Sequence, residues 1–182
     1  KKIKYLFPKA HAVAYVMMAF RIAWFKVYHP LAFYAAYFYR RSQKGGFDAV
    51  LMTQGKEAIM ANMDAITSNE NATDKDDDLL TTMEVVYEYY IRGFEFLPID
   101  IYKSHATKFL IQDGKLLPPF VSISGLGENA AWDLMNGREG KTFISIEEVA
   151  LACPKVSKTH IQMLKDAGAF GSLPDTSQIS LF

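Results

Sequence analysis

The longest apolar stretch runs from Lys9 to about His29, where neither Gly nor Pro interrupts a segment rich in aliphatic, Ala and Met residues. Pro8 suits the first turn of a helix. His11, Tyr15, Met18 and Ile22 then fall at i, i+4, i+7 and i+11, which is one helical face. Tyr28-His29-Pro30 breaks that helix, and Leu31 to Arg41 predicts a second, aromatic-rich helix ended by Gly45-Gly46. Asp48 to about Ala65 predicts a third, with Ile59, Met63 and Ile66 among its apolar positions. Residues 68–78 (SNENATDKDDD) carry no apolar side chain except Ala72 and read as a loop. Asp78 is then the expected cap of a helix from Leu79 to Arg92, stopped by Gly93.

Beyond Gly93 the pattern changes. Phe94-Glu95-Phe96-Leu97 alternates like a short strand. Ala106 to Ile111, the turn Gln112-Asp113-Gly114-Lys115, and Leu116-Leu117 predict a β-hairpin turning on Asp113-Gly114. Pro118-Pro119 closes that unit. The remainder is helical again, in two similar halves: one helix beginning near Glu128, another from Ser145 to Cys153, a break at Pro154-Lys155-Val156-Ser157, and a last helix from Lys158 to Ala167. The expected fold is mainly α with a small β-hairpin: a helical region, a tandem helix–hairpin–helix domain, and a flexible C-terminal tail from Leu173.

With 182 residues, half of them apolar, the chain can bury a core as one domain or two small ones. The net charge of zero hides a strong asymmetry. Residues 1–44 hold nine bases and no acid, whereas residues 45–100 hold twelve acids against Lys56, Lys75 and Arg92. A basic block followed by an acidic one suggests that the first third meets something anionic, although the two blocks can also neutralise each other across a fold. Cys153 is alone, so no internal disulfide forms, and a reducing cytoplasm is the expected location. Four scattered histidines and one cysteine lack zinc spacing, so no metal ligand is assigned. No signal peptide is visible. The start at Lys1-Lys2 without Met raises the expectation of a fragment or processed product. The apolar run from Ala10 to Phe38 is broken by Arg21, Lys26, His29 and Pro30 before 18 unbroken apolar residues accumulate, so a membrane span is not expected.

Three places carry candidate chemistry. The first is Gly125-Leu126-Gly127, immediately before the helix that begins near Glu128-Asn129. Two glycines around one apolar residue allow a tight hairpin with outward N–H groups, and a helix N-terminus behind them adds positive partial charge. Such a hairpin can hold one DNA phosphate without a side-chain cation. Gly125, Gly127 and Asn129 are the candidates there. In the second half the hairpin lacks glycines, and Lys155, Ser157 and Lys158 are placed to meet a phosphate on the opposite strand. A plain helical packing module is the alternative. The second place is Lys9-Ala10-His11 at the first helix start, behind Lys1, Lys2 and Lys4, a reasonable position for a phosphate or triphosphate. The competing reading is a solvated lysine and a core histidine. The third is the tail, where a polar leader ends in Gln178-Ile179-Ser180-Leu181-Phe182. Terminal Leu181 and Phe182 make sense as plugs for a partner's pocket, with the Gln178 amide as a polar hook, unless they fold back onto their own domain. Nothing here has the spacing of a Ser-His-Asp triad, a Walker-type loop or a carboxylate pair on a strand, and no catalytic residue is assigned.

Taken together, these residues resemble the C-terminal end of the PolC-type DNA polymerase III α subunit, the replicative polymerase of low-GC Gram-positive bacteria and their mycoplasma-like relatives. The match is carried by Tyr5 to Tyr15 (YLFPKAHAVAY), Arg21 to Val27 (RIAWFKV), Ala106 to Ile111 (ATKFLI), Pro118-Pro119-Phe120, Gly125 to Ala131 (GLGENAA), Leu173-Pro174 and the closing QISLF. The resemblance implies that residues 1–100 belong to the fingers, 101–172 to a duplex-DNA-binding domain, and 173–182 to a tail that binds the β sliding clamp through Gln178, Ile179, Leu181 and Phe182. Lys9 and His11 match the family's Lys-x-His, which implies contact with the incoming deoxynucleoside triphosphate. It further implies Mg2+ held by palm carboxylates upstream of Lys1, so this segment alone is expected to be inactive. Ile179 stands where the family's peptide usually has Leu, and residues 45–92 match only loosely. The implied partners are primer–template duplex, nucleotide and clamp, with no membrane. A non-enzymatic helix–hairpin–helix accessory or repair protein with its own clamp peptide is the alternative.

Overall fold

The structure is a computed structural model that describes residues 8–177. The clamp-peptide candidates Gln178, Ile179, Leu181 and Phe182 lie outside the described residues, as do Lys1, Lys2 and Lys4. The described chain is mainly α, with eight helices and one two-stranded antiparallel hairpin among its elements.

Helix α1 (Lys9–Tyr28) and helix α2 (Pro30–Ser42) meet at His29, and Pro30 takes the first position of α2, where its missing N–H costs nothing. Helix α2 places Tyr34 and Phe38 on one face, and both are fully buried. They seed an aromatic cluster with Phe47, Tyr89, Phe94, Phe96 and Phe109, whose rings pack at centroid separations of 4.6–5.9 Å. Strands β1 (Leu110–Gln112) and β2 (Lys115–Leu117) close one side of it, with Leu110 opposite Leu117. Their turn uses left-handed backbone at Asp113 (φ 52°) and Gly114 (φ 75°), the pairing that the Asp-Gly dipeptide predicts.

Three expectations are corrected between residues 48 and 97. The helix expected from Asp48 to Ala65 is two: α3 (Ala49–Met52), capped by the Asp48 carboxylate, and α4 (Lys56–Thr67). Gly55 sits between them at φ 99°, a conformation outside the right-handed helix. The supposed loop at 68–78 holds the start of α5 (Asp74–Ile91), so Asp78 is not its cap. Thr73 is the cap: its hydroxyl accepts from Asp76 N–H, while the Asp76 carboxylate accepts from Thr73 N–H at 2.8 Å. Three aspartates in the first turn suit the helix dipole, which composition alone disguised as a polar loop. Asp78 instead accepts from Arg41 Nη1 at 2.6 Å. The strand expected at 94–97 is a single bridge, Phe96 to Leu116.

The last turn of α1 is tied down by polar contacts. Lys26 Nζ donates to Glu88 Oε2 at 2.7 Å, Tyr34 Oη donates to Glu88 Oε1 at 2.9 Å, and Arg92 donates to both Tyr34 Oη and the Lys26 carbonyl. Burial alone pushes the Glu88 carboxyl up, but hydrogen bonds from Lys26 and Tyr34 outweigh it and hold it below its ordinary value. No residue between Val13 and Phe25 has a side-chain hydrogen bond or ion pair to another element among the described residues. None of the residues of α1 is buried, and Phe20 is 74% exposed. The helix runs unbroken through Arg21 and Lys26, and by length and composition it is long and apolar enough to cross a membrane. A helix that is apolar all round is characteristically a buried one.

Residues 120–170 form the second half of the core. A short 3-10 turn (Phe120–Ser122), helix α6 (Glu128–Gly137), helix α7 (Ile146–Ala152) and helix α8 (Lys158–Asp166) pack around Leu134, Val149, Cys153 and Leu164, all fully buried. Helices α6 and α7 approach so closely at Gly137 that a side chain there would lie 2.5 Å from Cys153 Sγ. The leader of the tail is docked rather than loose as far as Asp175. The Pro174 and Asp175 carbonyls accept from Ile146 and Glu147 N–H, completing the first turn of α7, and Lys165 pairs with the Asp175 carboxylate at 2.6 Å.

Candidate nucleic-acid interface

The two halves of the C-terminal unit repeat each other at a spacing of thirty residues. Ile123 to Glu128 (ISGLGE) and Cys153 to Lys158 (CPKVSK) occupy the same turn. Leu126 N–H donates to the Ile123 carbonyl at 3.0 Å, and Val156 N–H donates to the Cys153 carbonyl at 2.9 Å. Each central apolar residue is driven into the core, Leu126 to 3% exposure and Val156 to 7%. Further on, Ala131 N–H bonds the Gly127 carbonyl as Ile161 N–H bonds that of Ser157, and Leu134 and Leu164 are equivalent buried anchors. The apolar anchor holds each hairpin and forces its flanking residues outward.

The two hairpins then diverge. In the first, Gly125, Gly127 and Asn129 are all exposed. Gly125 has φ 88°, where an L side chain is strained, and it packs against Met163 of α8. No side chain caps α6, and the N–H groups of Gly125, Gly127, Glu128, Asn129 and Ala130 donate to nothing among the described residues. This is a cluster of unused donors at the positive end of a ten-residue helix. In the second, three of the five corresponding donors are engaged, those of Lys155, Ser157 and His160, while Lys158 and Thr159 N–H have no partner among the described residues. Lys155 N–H donates to Asp133 Oδ2 at 2.7 Å, and Ser157 and His160 form a reciprocal capping box. The Ser157 hydroxyl therefore accepts from its own helix, and Ser157 N–H is spent on His160 Nδ1. Lys155 and Lys158 remain exposed, with their charges available. Chemically, the first hairpin can receive an anionic oxygen on five backbone amides, while the second offers two such amides beside its cationic side chains.

Lys9 and His11 both lie exposed in the first turn of α1, but two residues apart they project from different sides of the helix, and the His11 ring lies edge-on to Tyr15 at 4.5 Å. At 1.5 Å per residue this turn stands roughly 25 Å from the Lys26 anchor. The structure does not bring these two residues to the first hairpin. The cleft beside that hairpin, about 730 Å³, is lined instead by the turn after α2, by Lys75 of α5, by Thr107 and Val121, and by residues 123–128. Lys44 and Lys75 on its wall drew no notice in the sequence, because each follows a polar stretch with no spacing signal. Only the close of the fold places them opposite the glycines.

Two side chains are removed from consideration as reactive groups. Burial pushes the Cys153 thiol up to about 11, and Asp133 adds to the effect, so this cysteine acts as an apolar core residue. His105 is held below its usual value by burial first, then by Lys108 and Arg138, and its Nδ1 accepts from Thr107 and Lys108 N–H. Among the described residues no three His, Cys, Asp or Glu side chains gather as a metal site, so no step through a metal is assigned to this chain.

Comparison with known proteins agrees with this architecture. A family described as "Helix-hairpin-helix motif" matches residues 93–179. The chain is 49% identical over 185 residues to DNA polymerase III PolC-type of Thermotoga petrophila, a match covering all of this chain and 13% of that protein. The corresponding protein of Caldanaerobacter subterraneus is 50% identical over 183 residues, again with all of this chain and 13% of the relative covered. That of Listeria innocua is 48% identical over 183 residues, covering 12% of its length. The chain thus spans about 13% of the curated relatives it matches.

Proposed function

We propose, from the homology of this whole chain to a segment of PolC-type DNA polymerase III, that it serves as the non-catalytic grip of a replicative DNA polymerase. In this reading it holds primer–template duplex through phosphates, independently of sequence. The observation that supports it best is the first hairpin: exposed, held by buried Leu126, and presenting N–H groups that the fold leaves unused. Gly125, Gly127 and Asn129 receive one strand on backbone donors, and Lys155 and Lys158 supply charge toward the other. Ser157 contributes less than its sequence position suggested, because its hydroxyl and amide cap α8.

The remaining roles follow from the resemblance. Residues 1–100 belong to the fingers, with Lys9 and His11 facing the triphosphate. Residues 101–172 are the duplex-binding domain, and the tail reaches the sliding clamp through Gln178, Ile179, Leu181 and Phe182. Polymerisation, with its Mg2+, belongs to parts of the longer protein outside this chain, and the site of action is the cytoplasm. Helix α1 is then an interior helix of the longer polymerase rather than a membrane span. Arg21 and Lys26 within it disfavour a lipid environment, and liposome flotation of the chain tests that point.

The central experiment measures duplex binding of the 182-residue chain by fluorescence anisotropy at several salt concentrations and with unrelated sequences. Affinity is expected to be indifferent to sequence and to fall steeply with salt. Deleting Gln178 to Phe182 is expected to abolish clamp association and leave duplex affinity unchanged. Salt-independent binding, or equal loss of both partners on deletion, would overturn the assignment.

A further inference from the structure

We infer that the cleft between the turn after α2 and the first hairpin carries the gripped DNA strand onward, with Lys44 and Lys75 neutralising its next phosphates. The inference rests on the duplex-binding reading above and extends it from the helix–hairpin–helix unit to the N-terminal half of the chain.

The cleft, about 730 Å³, has the hairpin residues Ser124 to Glu128 on one wall and the Ser42–Asp48 turn with Lys75 on the other. A strand whose phosphate rests on the amides of Gly125 and Gly127 therefore continues into a space lined by two lysines. Both are exposed, and neither has an ion-pair partner among the described residues. The neighbouring cation Arg41 is different, because Asp78 holds it at 2.6 Å. The acids on the cleft wall are themselves occupied. Asp48 Oδ1 accepts from Val50 N–H at 2.9 Å as the cap of α3, and Glu128 Oε1 accepts from the Trp132 indole at 3.1 Å. Around Lys75, Asp76 is spent on the capping box of α5, while Asp74 and Asp77 remain exposed beside it. An anion entering the cleft thus meets free amide donors together with Lys44 and Lys75, whose ammonium groups form no ion pair within 4.0 Å among the described residues, against the carboxylates of Asp48, Glu128 and the aspartates beside Lys75.

Backbone amides and lysines leave different signatures. A lysine–phosphate contact releases counterions and adds about 0.9 to the slope of log affinity against log salt, whereas an amide contact does not. The test is duplex binding by the full chain bearing Lys44→Gln, Lys75→Gln or both, with Lys56→Gln outside the cleft as control. Each cleft substitution is expected to reduce the slope by about 0.9, so the ratio of wild-type to variant affinity changes roughly threefold between 50 and 200 mM salt. The double variant should lose about twice the slope, and Lys56→Gln should lose none. Far-ultraviolet circular dichroism should be unchanged throughout, since neither lysine side chain bonds to the fold. Slopes equal to wild type in both cleft variants overturn the inference while leaving the hairpin assignment standing. Failure of the wild-type chain to bind duplex at all overturns the underlying reading and this one with it. If the substitutions weaken binding of a deoxynucleoside triphosphate and leave duplex binding alone, the cleft is a nucleotide site and the strand path is wrong.

Discussion

Replacing Gly127 by proline isolates one backbone donor. Gly127 has φ −68° and ψ 159°, within the range that proline adopts, and a Cβ built there meets nothing within 4 Å. Its N–H has no partner among the described residues, so the substitution removes a donor that the free protein does not use. Stability should therefore hold or rise by about 0.4–1 kcal/mol, because the unfolded chain loses freedom. A hydrogen bond to a charged group contributes about 1.5–3 kcal/mol, so losing one to a phosphate should weaken duplex binding roughly 10- to 150-fold. The slope of affinity against salt should hardly change, because no cation has been removed. Anisotropy titrations at three salt concentrations, paired with thermal unfolding of the same samples, measure both quantities. A Gly127→Pro chain that folds normally and binds duplex like wild type would refute the claim that this amide carries a phosphate.

Two further predictions concern the fold. His105 has a folded-state pKa below its unfolded value, so folding favours its neutral form. Its contribution is complete above the unfolded value of about 6.5 and is lost as pH falls from there toward the lowered one. Urea midpoints should accordingly drop as pH falls below about 6.5 in wild type, and His105→Asn should flatten that drop; an unchanged profile in the variant would assign it elsewhere. Deleting residues 1–28 removes a helix with no buried residue, so the remainder should still unfold cooperatively. The main loss is the half-exposed Lys26–Glu88 pair, worth about 1 kcal/mol or less. A melting point lowered by more than roughly 4 °C in calorimetry would mean that α1 supports the core more than its exposure indicates.

Much of this architecture was legible because local signals agreed with one another. Asp113-Gly114 as a turn, Pro30 as the break between two helices, and Pro154 to Ser157 as the break before the last helix each act within a few residues, and the fold honours all of them. The misreadings occurred where composition argued against geometry. The acidic run at 74–78 looked like solvent-facing loop, yet aspartates in a first turn behind Thr73 are what a helix dipole favours. Thr53-Gln54-Gly55 has no proline to announce a break, so α3 and α4 read as one helix until the backbone at Gly55 separated them. The candidate site divides in the same way. The Gly-Leu-Gly hairpin is a contiguous signal, whereas Lys44 and Lys75 face it only through tertiary packing.

The unequal hairpins bear directly on how such a unit can hold a duplex. On the proposed reading, two identical amide sites would fix two phosphates rigidly, and a polymerase would have to release both as it advances. Here the first hairpin keeps five donors open, while Asp133 and the Ser157–His160 box occupy three of the five in the second. The second half leans more on Lys155 and Lys158, whose long side chains can follow a moving phosphate and exchange it for water. In that reading one directional contact and one more diffuse contact keep the strand in register without locking it. The repeat therefore conserves the buried anchors Leu126 and Val156, which set the shape, and varies the exposed positions beside them, which set how firmly each strand is held.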